Sequence, residues 1–349
     1  MKKLAPNIDG IFLAICVRKN TLMVHWLEVM VMELEELREL AGRYARGIGA
    51  DNTAAAYTRQ WEAYQAWLRV NNIDLNPVDP SPVTMYLTHR VVDDGVAMTT
   101  LVQALSAIRW HYRVNWGEHT GAFDPSLKAL VRNLRRDYGR AAAQKKPLLA
   151  VHVREIIAAG EANVTRCKKA IWRRDKALLL TAWASACRRS ELAALEIVHV
   201  HFSKAGGCIL TVESSKTDQF RHGVRLTLRS GAHAVTCPVC VLNAWCTELK
   251  SVGCRWLFPS VQAGHITDVA INPSDIGRIV KGLVQSIGLN PSEYSAHSTR
   301  AGWVTDALAQ GRPESTVMMH SRHRDQRMMT VYNRGDTSAL ADVTAAAGL

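Results

Sequence analysis

The residues near the C-terminus that have chemistry to offer are spaced for work on a phosphate. His297-Ser298-Thr299-Arg300 is followed by the basic stretch Arg322-His323-Arg324, and Tyr332 comes nine residues after His323. A histidine and an arginine three apart share one face of a helix. Both can reach one phosphate, the arginine through its planar fork of donors. A tyrosine hydroxyl is a weak nucleophile at neutral pH, but it can attack a phosphodiester whose charge such donors have neutralised. The chemistry indicated is strand breakage by transesterification.

That step needs a nucleophile, clamps for the non-bridging oxygens, a base for the tyrosine proton and an acid for the leaving 5′ oxygen. Arg188, in Arg188-Arg189-Ser190-Glu191-Leu192, stands at the end of an apolar helical stretch over 177–186. A charge emerging from a buried helix end is placed to enter a site, and Glu191 can hold the region by an ion pair or backbone bonds. Lys216, in Ser214-Ser215-Lys216-Thr217, falls at the turn between two β-like segments, where a flexible ammonium could reach a leaving oxygen. Taken singly, each has a bland reading: a helix end, a solvated turn lysine, a packed tyrosine. Their order and spacing together carry the specificity.

On these residues the second half of the chain resembles the tyrosine recombinase (phage integrase) family. The family's ordered signature is an Arg in Arg-x-x-Glu, a Lys in a β-hairpin, His-x-x-Arg, a His or Trp, and a Tyr nine residues later. These fall on Arg188 with Glu191, Lys216, His297 with Arg300, His323, and Tyr332. The segment 296–334 and the helical first half look most like the Cre branch, where the position of His323 is a tryptophan. Two departures stand out. Ser185-Ala186-Cys187 precedes Arg188 where many members have Thr-Gly-Leu or Thr-Gly-Met. His320-Ser321 imitates the family's Gly-His-Ser step but lies twelve residues before Tyr332, so the spacing selects His323. Arg189 is a decoy of the same kind, excluded because Arg188 is the residue three before Glu191.

The resemblance implies that Arg188 and Arg300 grip the scissile phosphate and that His323 adds a hydrogen bond. Tyr332 attacks to leave a 3′-phosphotyrosyl link, with His297 as base and later acid, and Lys216 protonates the leaving 5′ oxygen. It implies no cofactor, neither ATP nor metal, because the bond energy is kept in the protein–DNA ester. The partner implied is double-stranded DNA with a specific recombination site, bound by a homotetramer spanning two such sites. A cytoplasmic, nucleoid-associated protein of a mobile element is expected. So is a mostly α fold: an all-helical core-binding domain, then a mixed α+β catalytic domain of the DNA breaking-rejoining type with a small β-sheet. A type IB topoisomerase and a catalytically decayed DNA-binding protein are the competing readings.

Positioning these residues falls to a chain of 349 residues, long enough for two domains. Its 43 Lys and Arg against 31 Asp and Glu give a formal charge of +12, which favours a polyanionic partner. No apolar run approaches the ~18 residues of a spanning helix, so the same charge is not assigned to a membrane protein. The eight cysteines have no framework spacing and read as a reduced set of small core residues. Cys237-Pro238-Val239-Cys240 with Cys246 lacks a second close pair for zinc, and no metal site is expected. Instead it starts a helix whose buried face continues through Leu242 and Trp245.

Along the chain, 1–30 reads as an extension outside the folded core, or as a start placed too far upstream, with Met23, Met30 and Met32 as alternatives. Over 31–140, helical spacing predicts an all-helical core-binding domain: helices over 26–46 and 52–70, another opened by Asp79-Pro80-Ser81-Pro82, one over 99–114, and one opened by Asp124-Pro125-Ser126. Arg109, Arg113, Arg135 and Arg136 gather on the last two as candidate DNA contacts. The small, basic stretch 141–147 reads as a linker whose Lys145 and Lys146 could also track a phosphate backbone. The catalytic domain takes 148–349, with helices near 151–159, 168–186, 238–249 and 274–287 and helical character through 297–332. Its β-like segments lie near 199–202, 208–213 and 223–228, and a tail helix follows Tyr332.

Overall fold

The computed structural model describes residues 51–140, 144–163, 165, 169–204, 206–213 and 223–332. The 26–46 helix, the N-terminal extension, Lys216 and the tail after Tyr332 lie outside them. The chain divides after Ala142 into two compact units, within the stretch that the composition marks as a linker.

In the first unit, α1 (Asp51–Val70), α2 (Ser81–Val92), α3 (Met98–Trp116) and α4 (Ser126–Tyr138) enclose one core, with a short 3₁₀ turn at Gly121–Phe123. The predicted helical face of α1 is there: Tyr64 and Leu68 are buried, and Trp61 and Trp67 pack against the core. The proline-led starts work through their aspartates. Asp79 Oδ1 accepts the Ser81 N–H at 2.8 Å, and Asp124 Oδ1 accepts the Ser126 N–H at 2.8 Å, satisfying donors that a helix start leaves open.

The second unit is built around α6 (Lys169–Ser185), an apolar helix with Ala177, Leu178, Leu179, Leu180 and Ala182 buried. On one side, with α7 (Arg189–Ala193), it shares a core with the antiparallel sheet β1 (Val200–Phe202), β2 (Cys208–Val212), β3 (Val224–Leu228) and with α8 (Pro238–Ser251). Leu210 pairs with Val200 on one side and Leu226 on the other, so one face of the meander turns inward. Cys237 caps α8, its sulfur accepting the Cys240 N–H at 3.3 Å and the Gly231 N–H at 3.2 Å, and Leu242 and Trp245 are buried as the spacing predicts.

On its other side α6 packs with α5 (Ala150–Asn163) and α9 (Pro273–Gln285). The predicted helical character of 297–332 resolves into three helices: α10 (His297–Ala309), α11 (Glu314–Ser321) and α12 (Arg327–Tyr332). They meet in a small core of Ala301, Val304, Val317, Met329 and Tyr332. A second hairpin, β4 (Pro259–Gln262) and β5 (His265–Ala270), was not predicted. It turns through Ala263 and Gly264, both at positive φ, the backbone that a two-residue hairpin loop demands.

Candidate active site

The site is assembled where α6 ends. Its last turn closes on Ala186 at φ +49°, a left-handed conformation that L residues adopt at a cost and glycine adopts freely. This turn presents the Ala186 carbonyl to two arginines. Arg300 Nη1 donates to it at 2.7 Å and Arg322 Nη2 at 3.4 Å. The departure from a Thr-Gly lead thus falls on the residue whose backbone suits glycine.

Arg188 follows two residues later and begins α7. Glu191 accepts its backbone N–H at 2.8 Å through Oε2 and its Nη1–H at 2.8 Å through Oε1. The same Oε2 accepts Arg322 Nη2–H at 2.7 Å. Glu191 is buried, so its charge is tolerable only because two guanidinium groups share it. Arg189 points outward and is exposed.

Arg300, one turn into α10, is 1% exposed. Its Nη2 has no hydrogen-bond partner among the described residues, and neither do Nε and Nη1 of Arg322. Unused buried donors on a cation suit a site that receives an anion. Burial, with the nearby charges of Arg188 and Arg322, lowers the Arg300 guanidinium to about 10.

His297 stands at the mouth of the site at the start of α10, and its Nε2 lies 2.9 Å from Tyr332 Oη. The protein packed around it, then Arg300 and Arg188, holds its imidazole below the ordinary range, so the ring is neutral and able to accept a proton. Tyr332 is 7% exposed and seated in the α10–α12 core beside Met329.

His323 packs near Tyr332, ring centroids 5.4 Å apart, and its Nδ1 lies 2.7 Å from Ser321 Oγ. Burial, then Arg300, Arg188, His297 and Arg322, pushes it down to about 3. The one proton of the Ser321 hydroxyl goes to the Val317 carbonyl at 2.6 Å, so His323 Nδ1–H donates to Ser321 Oγ. The neutral ring turns the lone pair of Nε2 toward the site, a nitrogen that donates to a phosphate once it has taken up a proton. Ser321 therefore matters to the site in a way its sequence position does not reveal. His320 is occupied elsewhere: it stacks on Trp303 at 4.1 Å, and its Nε2–H donates to the Ala184 carbonyl at 2.9 Å.

The structure thus brings together Arg188, Glu191, His297, Arg300, His323 and Tyr332, and adds Arg322 and Ser321. Lys216 belongs to the connection between β2 and β3, outside the described residues. Several expected DNA contacts have internal partners. Arg109 Nε donates to the Ala122 carbonyl at 2.9 Å, and Arg113 pairs with Glu118 at 2.6 Å. Lys145 Nζ donates to the Ser292 carbonyl at 2.6 Å and Lys146 pairs with Glu293 at 2.8 Å, so the end of the predicted linker is tied to the second unit. Arg135 is exposed, as is Arg136, which pairs with Asp137 at its side. Among the described residues, no group of three or more His, Cys, Asp or Glu could hold a metal ion, and no helix is long and apolar enough to cross a membrane.

The profile of the phage integrase family matches residues 150–338, more than half of the chain. An integrase/recombinase XerD homolog of Selenomonas ruminantium is 26% identical over 299 residues, covering 85% of this chain and 86% of the relative. The tyrosine recombinase XerD of Yersinia pestis is 24% identical over 304 residues, covering 83% and 89%. Among solved structures, a lambda integrase tetramer bound to a Holliday junction has the same fold, with a TM-score of 0.56 at 14% identity over 95% of this chain and 86% of that one. The Cre branch is not specified by these likenesses. The chain belongs to the phage integrase family of tyrosine recombinases.

Proposed function

We propose that this protein is a site-specific recombinase or integrase that cuts and rejoins DNA through a 3′-phosphotyrosyl intermediate. The observation that carries the reading is the 2.9 Å contact between His297 Nε2 and Tyr332 Oη, beside a buried Arg300 with an unused donor. His297 takes the hydroxyl proton as Tyr332 Oη bonds to the scissile phosphorus, and the bond from phosphorus to the 5′ oxygen breaks. Arg188, Arg300 and His323 hold the non-bridging oxygens, and Lys216 gives the leaving oxygen its proton. Reversal with a new 5′ hydroxyl rejoins the strand, and neither ATP nor metal enters the balance. The helical first unit acts as the core-binding clamp. The tetrameric assembly named for the lambda integrase structure supports a homotetramer on two DNA sites.

The test is covalent capture from a pool of nicked duplexes with randomised arms. Wild-type protein is expected to become linked to a definable subset, whose sequencing yields the target site, and Tyr332→Phe to link to none. Linkage by Tyr332→Phe would assign the nucleophile elsewhere. Tight binding without linkage by the wild type would favour a decayed DNA-binding protein.

A further inference from the structure

We infer that Arg322 is a positioning residue for strand cleavage, acting on Arg188 through Glu191; this rests on the recombinase reading above. Arg322 is the residue that follows α11 and caps its C-terminus, its backbone N–H donating to the Met318 carbonyl. It sits at φ +61°, the left-handed region, and this reverses the chain so that its side chain turns back toward the end of α6 while His323 faces Tyr332. A long side chain held at such a backbone costs stability that glycine would spare.

What the arginine gains there is a bridge. Its Nη2 reaches Glu191 Oε2 at 2.7 Å, the Ala186 carbonyl at 3.4 Å and Cys187 Sγ at 3.6 Å. Glu191 holds Arg188 with its other oxygen, and Ala186 holds Arg300 with the same carbonyl. Arg322 is thereby linked through two acceptors to both proposed phosphate clamps. Without it, Glu191 Oε2 keeps only the Arg188 backbone N–H, and the bared carboxylate pulls the Arg188 guanidinium in against itself, away from the phosphate.

The balance of charge points the same way. Three guanidinium groups against one buried carboxylate leave two positive charges in excess. A phosphodiester brings one negative charge, and its pentacoordinate transition state brings a second. Removing Arg322 would leave Glu191 cancelling half of what the two clamps supply.

The test uses full-length protein and a suicide duplex carrying the site recovered by covalent capture, with single-turnover cleavage at saturating protein as the readout. Arg322→Gly, which suits the left-handed backbone, is expected to bind DNA within about threefold of wild type and to cleave about 10- to 100-fold more slowly, the scale of a misplaced clamp. Arg322→Lys keeps the charge and one bond to Glu191, and is expected to recover part of that loss. Because the main effect runs through Arg188, Arg322→Gly should slow Arg188→Ala by much less than it slows the wild type. Multiplying losses in the double variant, or wild-type rates in Arg322→Gly, would overturn the inference while leaving the recombinase reading intact. Failure of the wild type to link to DNA would overturn that reading itself.

Discussion

At the scale of single residues, the site carries more positive charge than its neighbours can satisfy, and this sets stability against function. Arg300 is buried with one carbonyl partner and an unused Nη2. Burying a cation without full pairing is unfavourable, and replacing it with an apolar side chain of similar length is often neutral or stabilising. Arg300→Met is therefore expected to leave the DNA-free protein equally stable, or about 1 kcal/mol more stable. It should also slow cleavage by about 10²–10³-fold, the usual cost of losing one preorganised donor. Thermal unfolding and single-turnover cleavage, measured side by side, check both halves. The same logic separates the arginines of the first unit. Arg109 holds the Ala122 carbonyl and lies over the Phe123 ring, so Arg109→Ala should lower the unfolding temperature. Arg135 is exposed, so Arg135→Ala should leave stability alone and, if that arginine meets a phosphate, reduce the slope of log affinity against log salt by about one.

At the scale of elements, the segment 144–149 is what seats α10. The Leu148 N–H donates to the Ser298 carbonyl at 2.8 Å, and the Leu148 carbonyl accepts Trp183 Nε1–H at 3.0 Å. Asp306 closes the arrangement by accepting the Ala150 N–H at 2.7 Å. Gly302 permits this approach: a Cβ there would collide with the Leu148 backbone. Gly302→Ala should accordingly destabilise the second unit by about 3 kcal/mol, since backbone rather than a side-chain tip must give way. It should also slow cleavage, because His297 and Arg300 ride on the displaced helix. Equal unfolding midpoints for the two proteins in denaturant would show that the segment yields cheaply. None of this close approach was legible in the sequence, where Gly302 is one small residue in a helix. The helices themselves were legible: Tyr64, Leu68, Leu101 and Leu105 recur at helical spacing because one face is buried. The sheet over 200–228 announced itself by alternation, whereas the β4–β5 hairpin did not. Its strands are short and half exposed, and its turn is Ala263-Gly264 rather than a strong hairpin dipeptide. Arg188, His297, Arg300, His323 and Tyr332 could be picked out by order and spacing. Arg322 and Ser321 could not, because their importance arises from a left-handed turn and a hydroxyl that meet the site only after folding.

At the scale of the whole molecule, a chain with a formal charge of +12 couples proton uptake to polyanion binding. His323 is the group best placed to reveal that coupling. In the free protein it lies at about 3 against an ordinary value of 6.5. Burial comes first among the causes, followed by the charges of Arg300 and Arg188. Between those two values the unfolded chain binds a proton there that the folded chain does not. The associated stability is therefore full above pH 6.5 and is lost progressively as pH falls toward 3. A phosphate placed among Arg188, Arg300 and His323 would offset the repulsion and raise the histidine again. Binding would then take up a proton, and affinity for the recovered DNA site should rise as pH is lowered from 6.5. Carboxylates elsewhere contribute their own pH dependence, but His323→Gln cancels only the histidine's share. The difference between the wild-type and His323→Gln curves is expected to widen toward acid for binding, favouring the wild type. In DNA-free unfolding it should widen toward acid in favour of His323→Gln. Parallel curves in both measurements would mean that His323 titrates as an ordinary surface histidine and that no phosphate is held against it.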